Sequence, residues 1–210
     1  MTTPEVPARV VLRPIASPAA LGFLGLAGAT LTVAALQLDW VDKAEGSKVA
    51  LILLGFTVPL QFVASIFGFL ARDGVIATGM GVLAGTWLAI ALVFHSLQPG
   101  ETSDALGVFL LAAGTAMLVP AFSALYSKLV PALVLGTAGI RFFLGGIHEL
   151  AGDSGWAKAA GIVGLFLFAF AVYAVLAAEL EDVRKVSVLP LGRRGRAKDI
   201  SEPPGVREAL

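Results

Sequence analysis

The sequence predicts an all-α, polytopic membrane protein with six transmembrane helices and both termini in the cytoplasm. Three observations carry that expectation. Apolar residues make up 57% and charged residues 14% of the 210 positions, with a mean hydropathy of +0.87, whereas about a quarter of a soluble domain is charged. The apolar residues gather into six runs, each long enough, at about 1.5 Å per helical residue, to cover a hydrocarbon core of roughly 30 Å. Lys and Arg divide unevenly: eleven lie on the side of the termini and three on the other, a bias that places the richer side in the cytoplasm.

Residues 1–16 are polar and proline-punctuated and read as a flexible cytoplasmic N-terminus. The membrane domain covers 17–183, and 184–210 form a basic cytoplasmic tail whose simplest role is to set topology. Ser17-Pro18 opens the first span, 17–38, with serine as N-cap and proline at the first helical position. Arginines ahead of an apolar run also suit a cleaved signal peptide. This run is too long for that, and five more spans follow it. The second span covers 49–71 and contains Pro59 and Gln61; Arg72-Asp73-Gly74 turns into the third, 75–97. A loop from Pro99 leads to the fourth, 105–126, with Pro120 inside it. Each proline removes a helical hydrogen bond, and so either kinks its helix around a lumen or simply fits the bundle. Ser127-Lys128 turns into the fifth span, 129–150, and 152–155 leads to the sixth, 156–180. Trp40 and Trp156 fall at the outer interface, as an aromatic belt would place them.

Glycines at 22, 25 and 28, at 79, 81 and 85, and at 161 and 164 mark helices that pack closely, Gly81 and Gly85 as a GxxxG pair. Ala20-Leu21-Gly22 is echoed by Ala105-Leu106-Gly107 at the start of the fourth span, as a three-plus-three inverted repeat would do.

Several chemistries have no footing. With no cysteine there is no disulfide or thiolate–metal site. The two histidines, with Glu149, do not have metal-ligand spacing, so no metal or cofactor is expected. No nucleophile–base constellation and no phosphate loop is present, so the chain reads as no enzyme. No basic stripe interleaved with aromatics points to nucleic acid. The Ala-, Gly-, Val- and Leu-rich usage suggests a bacterial cytoplasmic membrane.

The candidate site centres on Arg141, in the middle of the fifth span. A cation at that depth costs about 2.5–3.5 kcal/mol on insertion scales, so it should face protein or a wet cavity rather than lipid. Val134, Thr137, Ala138, Gly145 and His148 share its face. Gln61, Thr86, Thr115 and Thr137 fall near mid-membrane with it, and an arginine with amide and hydroxyl donors would suit a small carboxylate that has lost its water. Two readings stay open: an anion-facing guanidinium in a passage, or an arginine locked to neighbouring helices, with each threonine bonded back to its own helix. His148 and Glu149, near Asp153, suit an interfacial pair in contact with water or a proton relay; His95 suits the interface.

Ser17-Pro18-Ala19-Ala20-Leu21-Gly22-Phe23 resembles the NPAPLGL signature of the acetate uptake transporter family, also called the succinate–acetate permeases. Gln61, Asp73 and Trp87 keep the family spacing, and Val188-Leu189-Pro190-Leu191-Gly192 is similar to the family's VLP-I-G. Ser17 and Ala20 replace the asparagine and second proline of the signature, which makes this a divergent member. The resemblance implies a hexameric, channel-like permease for acetate and sometimes succinate, commonly proton-coupled. It also implies a constriction within each protomer at Leu26, Leu83 and Ala138, where the family pattern is two aromatics and a leucine. The expected function is transport of small monocarboxylates, with Arg141, Gln61, Thr86, Leu26, Leu83 and Ala138 along the passage. A pore for neutral solutes such as urea, ammonia or water, and a membrane scaffold without transport, are the alternatives.

Overall fold

In the computed structural model, residues 16–184 and 186–195 are described. The expectations for the N-terminal segment up to residue 15 and for the tail from 196 onward lie outside them. The described residues form six helices long and apolar enough to cross a membrane. They are α1 (Ala19–Gln37), α2 (Lys43–Leu70), α3 (Gly74–Ser96), α4 (Asp104–Leu125), α5 (Leu129–Ala151) and α6 (Ser154–Arg184).

Local chemistry sets the helix ends and corrects the sequence-based bounds in three places. α1 starts one residue late, because the first helical acceptor is the carbonyl of Pro18 (Gly22 N–H donates to it at 3.2 Å), so Pro18 rather than Ser17 is the cap. α2 starts six residues early: Asp42 accepts the Ala44 N–H at 2.8 Å, and a tight turn over Lys43–Glu45 nucleates the helix. Within α2 the turn Leu53–Thr57 widens, the Val58 N–H reaching back to the Leu53 carbonyl, directly ahead of Pro59, which has no N–H to give. α6 runs past its expected end to Arg184, and its 31 residues extend about 45 Å, well beyond the apolar core. Asp73 caps α3 by accepting the Ile76 N–H at 3.1 Å, and Ser103 caps α4 by accepting the Leu106 N–H at 3.3 Å. α5 ends on Gly152 in the left-handed region, φ +67°.

The helices pack in chain order around a ring, each against the next, and α6 closes on α1. The interior holds Phe23, Leu26, Met80, Leu83, Trp87, Val134, Leu135, Phe142 and Leu167. The outward faces carry exposed Phe62, Phe69, Leu92, Val119, Phe122 and Phe166, the surface a bilayer would solvate. Odd-numbered helices start on the face from which both described chain ends emerge, here the terminal face, and even-numbered helices return to it.

The tightest pairing, α4 on α5, rests on glycine–glycine approaches that the sequence does not reveal. A Cβ on Gly114 would sit 3.0 Å from the Gly139 carbonyl oxygen, and one on Gly139 would sit 3.1 Å from that of Gly114. Gly107 and Gly146 repeat the arrangement at 3.1 and 2.9 Å. The members of each helix are seven residues apart, so two turns separate the contacts on one stripe. Of the expected GxxxG pair, Gly81 faces Ser65 but Gly85 faces open space. Gly114→Val should therefore lower the melting midpoint in detergent by an amount equivalent to about 1–3 kcal/mol. Gly85→Ala should leave it unchanged or raise it slightly; equal effects would contradict the assignment of the interface.

Candidate functional site

α1, α3 and α5 run in the same direction, and their contacts put their repeats in register. A Cβ on Gly22 would collide with Met80, and one on Gly79 would lie 3.1 Å from Leu135. One turn further from the terminal face, the same stripes carry Leu26, Leu83 and Ala138, all with no exposed surface. The next turn carries Thr30, Trp87 and Phe142, also buried.

A cavity lies on each side of these layers. The larger, about 510 Å³, opens on the terminal face and is bounded by Ser17, Phe23, Asp73, Ile76, Lys128 and Leu191. The smaller, about 190 Å³, opens on the opposite face; its lining includes Val33, Gln37, Ile90, Leu110, Arg141 and Phe142. Asp39, Lys43, Glu101, His148, Glu149 and Lys158 also line it, nearer the loops. Ten residues separate the two linings on α1 (Phe23 to Val33) and on α5 (Pro131 to Arg141), so the closed stretch is about 15 Å deep.

Arg141 reaches the smaller cavity from inside the bundle and is only 3% exposed. Its Nη2 donates to Gln37 Oε1 at 3.0 Å. Its Cζ lies 5.2 Å from the Trp87 ring centroid, a cation–π contact. Trp87 meets Phe142 edge-on, with ring centroids 5.6 Å apart. Gly164 of α6 leaves the room this needs, since a Cβ there would lie 2.9 Å from Arg141 Nε. Nε itself is sealed and has no acceptor. Among the described residues, no carboxylate pairs with Arg141. The nearby acids are otherwise engaged: Glu149 accepts the Ser103 N–H at 2.8 Å, and Asp39 pairs with Lys158 at 3.6 Å.

The mid-membrane ring of polar side chains does not form. Gln61 donates to the Gly22 carbonyl at 3.5 Å, near the start of α1, whereas Arg141 bonds Gln37 at its end. Fifteen residues of α1 separate the two, so Gln61 sits on the far side of the sealed layers, where it and Thr57, which donates to the Gly25 carbonyl at 3.1 Å, tie α2 to α1. Thr86 is buried and bonds back to the Val82 carbonyl at 2.8 Å; Thr115 bonds back to Leu111 and is exposed. None of the three lines either cavity. Leu26, Leu83 and Ala138 also line neither, and form the seal between them. His148 meets the Asp153 carbonyl at 3.0 Å and His95 is exposed. Gln37 and Phe142 are the residues that sequence reasoning missed. The signal was available in each case: an amide ending an apolar span, and an aromatic one turn beyond Ala138.

The larger cavity is closed at one side by the chain beyond α6. Leu191 and Gly192 offer their carbonyls to the Val130 and Leu129 N–H groups at 3.1 and 3.0 Å, satisfying two of the first donors of α5. Tyr173 donates to the Pro190 carbonyl at 3.0 Å, and Arg193 pairs with Glu181. This gives the Val188–Gly192 stretch a physical role: it caps a helix and walls a cavity.

The model of the GPR1/FUN34/yaaH family matches residues 2–191. The chain belongs to the GPR1/FUN34/yaaH family. Among solved structures it is similar to the bacterial acetate channel SatP, with a TM-score of 0.76 at 22% identity, over 85% of this chain and 99% of that one. No curated protein matches it by sequence. The chain is thus a multi-pass membrane protein with the fold of that channel. Two aromatics stand one turn away from the sealing positions, Trp87 beyond Leu83 and Phe142 beyond Ala138.

Gly192 has φ +65°, and a Cβ there would lie 2.6 Å from that of Leu129. Gly192→Ala should therefore detach the strap at a cost of about 1–3 kcal/mol. Faster limited proteolysis between 186 and 195 is the expected readout; an unchanged digestion rate would contradict the capping role.

Proposed function

We propose that this chain is a channel-like transporter for small monocarboxylates such as acetate. The observation that carries the proposal is a cavity on each face, with a buried, acid-free arginine in one and a layer of Leu26, Leu83 and Ala138 between it and the other. Family membership and the likeness to an acetate channel support the same class. The neighbour is a channel rather than an enzyme. Arg72, Lys128, Arg193 and Arg194 gather on the terminal face, which supports placing it in the cytoplasm. The homo-hexamer implied by the resemblance would cover part of the apolar helix faces.

The seal decides which form of the acid crosses. Leu26, Leu83, Ala138 and Met80 offer no donor, and a bare carboxylate is costly in such surroundings. The acid therefore crosses protonated while its anion is held at Arg141, which makes net uptake proton-coupled. Opening needs rotamer changes at Leu26, Leu83 and Met80, of which methionine is the most adaptable. Succinate, with a second carboxylate to neutralise, should cross more slowly. The closed seal also suits a non-transporting scaffold, and flux separates the two readings.

Proteoliposomes should take up labelled acetate faster at mildly acid than at neutral pH. Leu83→Ala should raise that flux several-fold by thinning the seal, at a stability cost of about 2–5 kcal/mol. Acetate flux no greater than that of empty vesicles at either pH would reject the transporter; equal flux of urea would favour a neutral-solute pore.

A further inference from the structure

We propose that Arg141 is the anchor of a saturable binding site for one carboxylate group, selective for short monocarboxylates over dicarboxylates. The site deepens the transporter reading and rests on it only for where the ligand goes next. A guanidinium keeps its charge and presents five N–H donors in a rigid fork. Here one donor has a protein acceptor, the neutral Gln37 amide, and Nε is sealed without any. Among the described residues, Lys48, Lys158 and Arg193 pair with Glu45, Asp39 and Glu181, but Arg141 has no acid. A buried cation without an acid is a standing demand for an anion, and the cavity beside it supplies the space. At about 190 Å³ that space equals the liquid volume of about six waters at roughly 30 Å³ each.

The surroundings choose the anion. Trp87 lies 5.2 Å below the guanidinium carbon and Gln37 holds one nitrogen, so the remaining donors of the fork have restricted freedom to turn. Val33, Ile90, Leu110 and Phe142 make the adjoining walls apolar, fit for a short alkyl tail and unfit for chloride or a second charge. Other cations of the cavity stand further out: Lys158 is held by Asp39, and Lys43 is exposed at the start of α2. Glu149 lies eight residues beyond Arg141 on α5, about 12 Å along the helix. A four-carbon diacid anchored at Arg141 would bury its second carboxylate against the apolar walls, short of any lysine, and a longer one would meet Glu149. Four non-hydrogen atoms limit acetate to a dissociation constant no tighter than roughly tens of micromolar, with millimolar expected.

Trp87 is a built-in reporter. In Trp40→Phe/Trp156→Phe, which removes the two other tryptophans, both partly or fully exposed, emission comes from Trp87 alone. Purified protein in detergent at neutral pH and constant ionic strength would be titrated with sodium acetate, sodium succinate, sodium chloride and urea. The expected result is a saturable change with acetate, at least tenfold weaker with succinate, absent with chloride and urea, and lost in Arg141→Gln. Arg141→Lys, which keeps the charge but loses the fork, should weaken the response without abolishing it, and serves if the glutamine variant does not fold. No saturable acetate response, a response equally strong with chloride or succinate, or one that survives Arg141→Gln would overturn the proposal. Flux in proteoliposomes is read separately. Binding without flux refutes the transporter and leaves the site, whereas flux without saturable binding refutes the site and leaves the transporter.

Discussion

A charged guanidinium inside an apolar bundle constrains everything near it. It cannot face acyl chains, and it cannot be neutralised by losing its proton. In this fold Trp87 lies beneath it, Gln37 holds one edge, and Gly164 yields the space that any side chain would take. These contacts come from α1, α3 and α6, so one side chain of α5 touches three of the other helices. The cavity above it is the remaining consequence, since the donors left over need water or an anion.

The seal below that cavity is the complementary constraint. Leu26, Leu83 and Ala138 are aliphatic, and the rings of Trp87 and Phe142 stand one turn further toward the arginine. The edge-on pair of rings supports the cation. A seal of leucines and a methionine has more rotamer freedom than one of stacked rings.

How far the sequence foretold this depends on the range of the interaction concerned. Span number and the interior placement of Arg141 follow from local hydropathy and the cost of a charge in lipid, and both are found. So is the family, carried by short motifs at Ser17–Phe23 and Val188–Gly192. The polar ring was a misreading of depth: residue counting put Gln61 and Arg141 at one level, but α2 begins six residues early and the guanidinium stretches toward the end of α1. Gln37 was invisible because its partner lies 104 residues away. The Gly107–Gly146 and Gly114–Gly139 approaches were missed because each needs two helices in antiparallel register, although the seven-residue spacing on both helices was there to be seen. The Val188–Gly192 motif was recognised without its purpose, since capping α5 is a contact that only the folded chain makes.

An experimental map of the protein with bromoacetate bound tests the central claim most directly. The expected result is an anomalous bromine peak in the cavity lined by Arg141 and Phe142, with the carboxylate on the guanidinium and the halogen against Ile90 and Leu110. An empty cavity with the Arg141 guanidinium paired to an acidic side chain, or turned toward lipid, would contradict it.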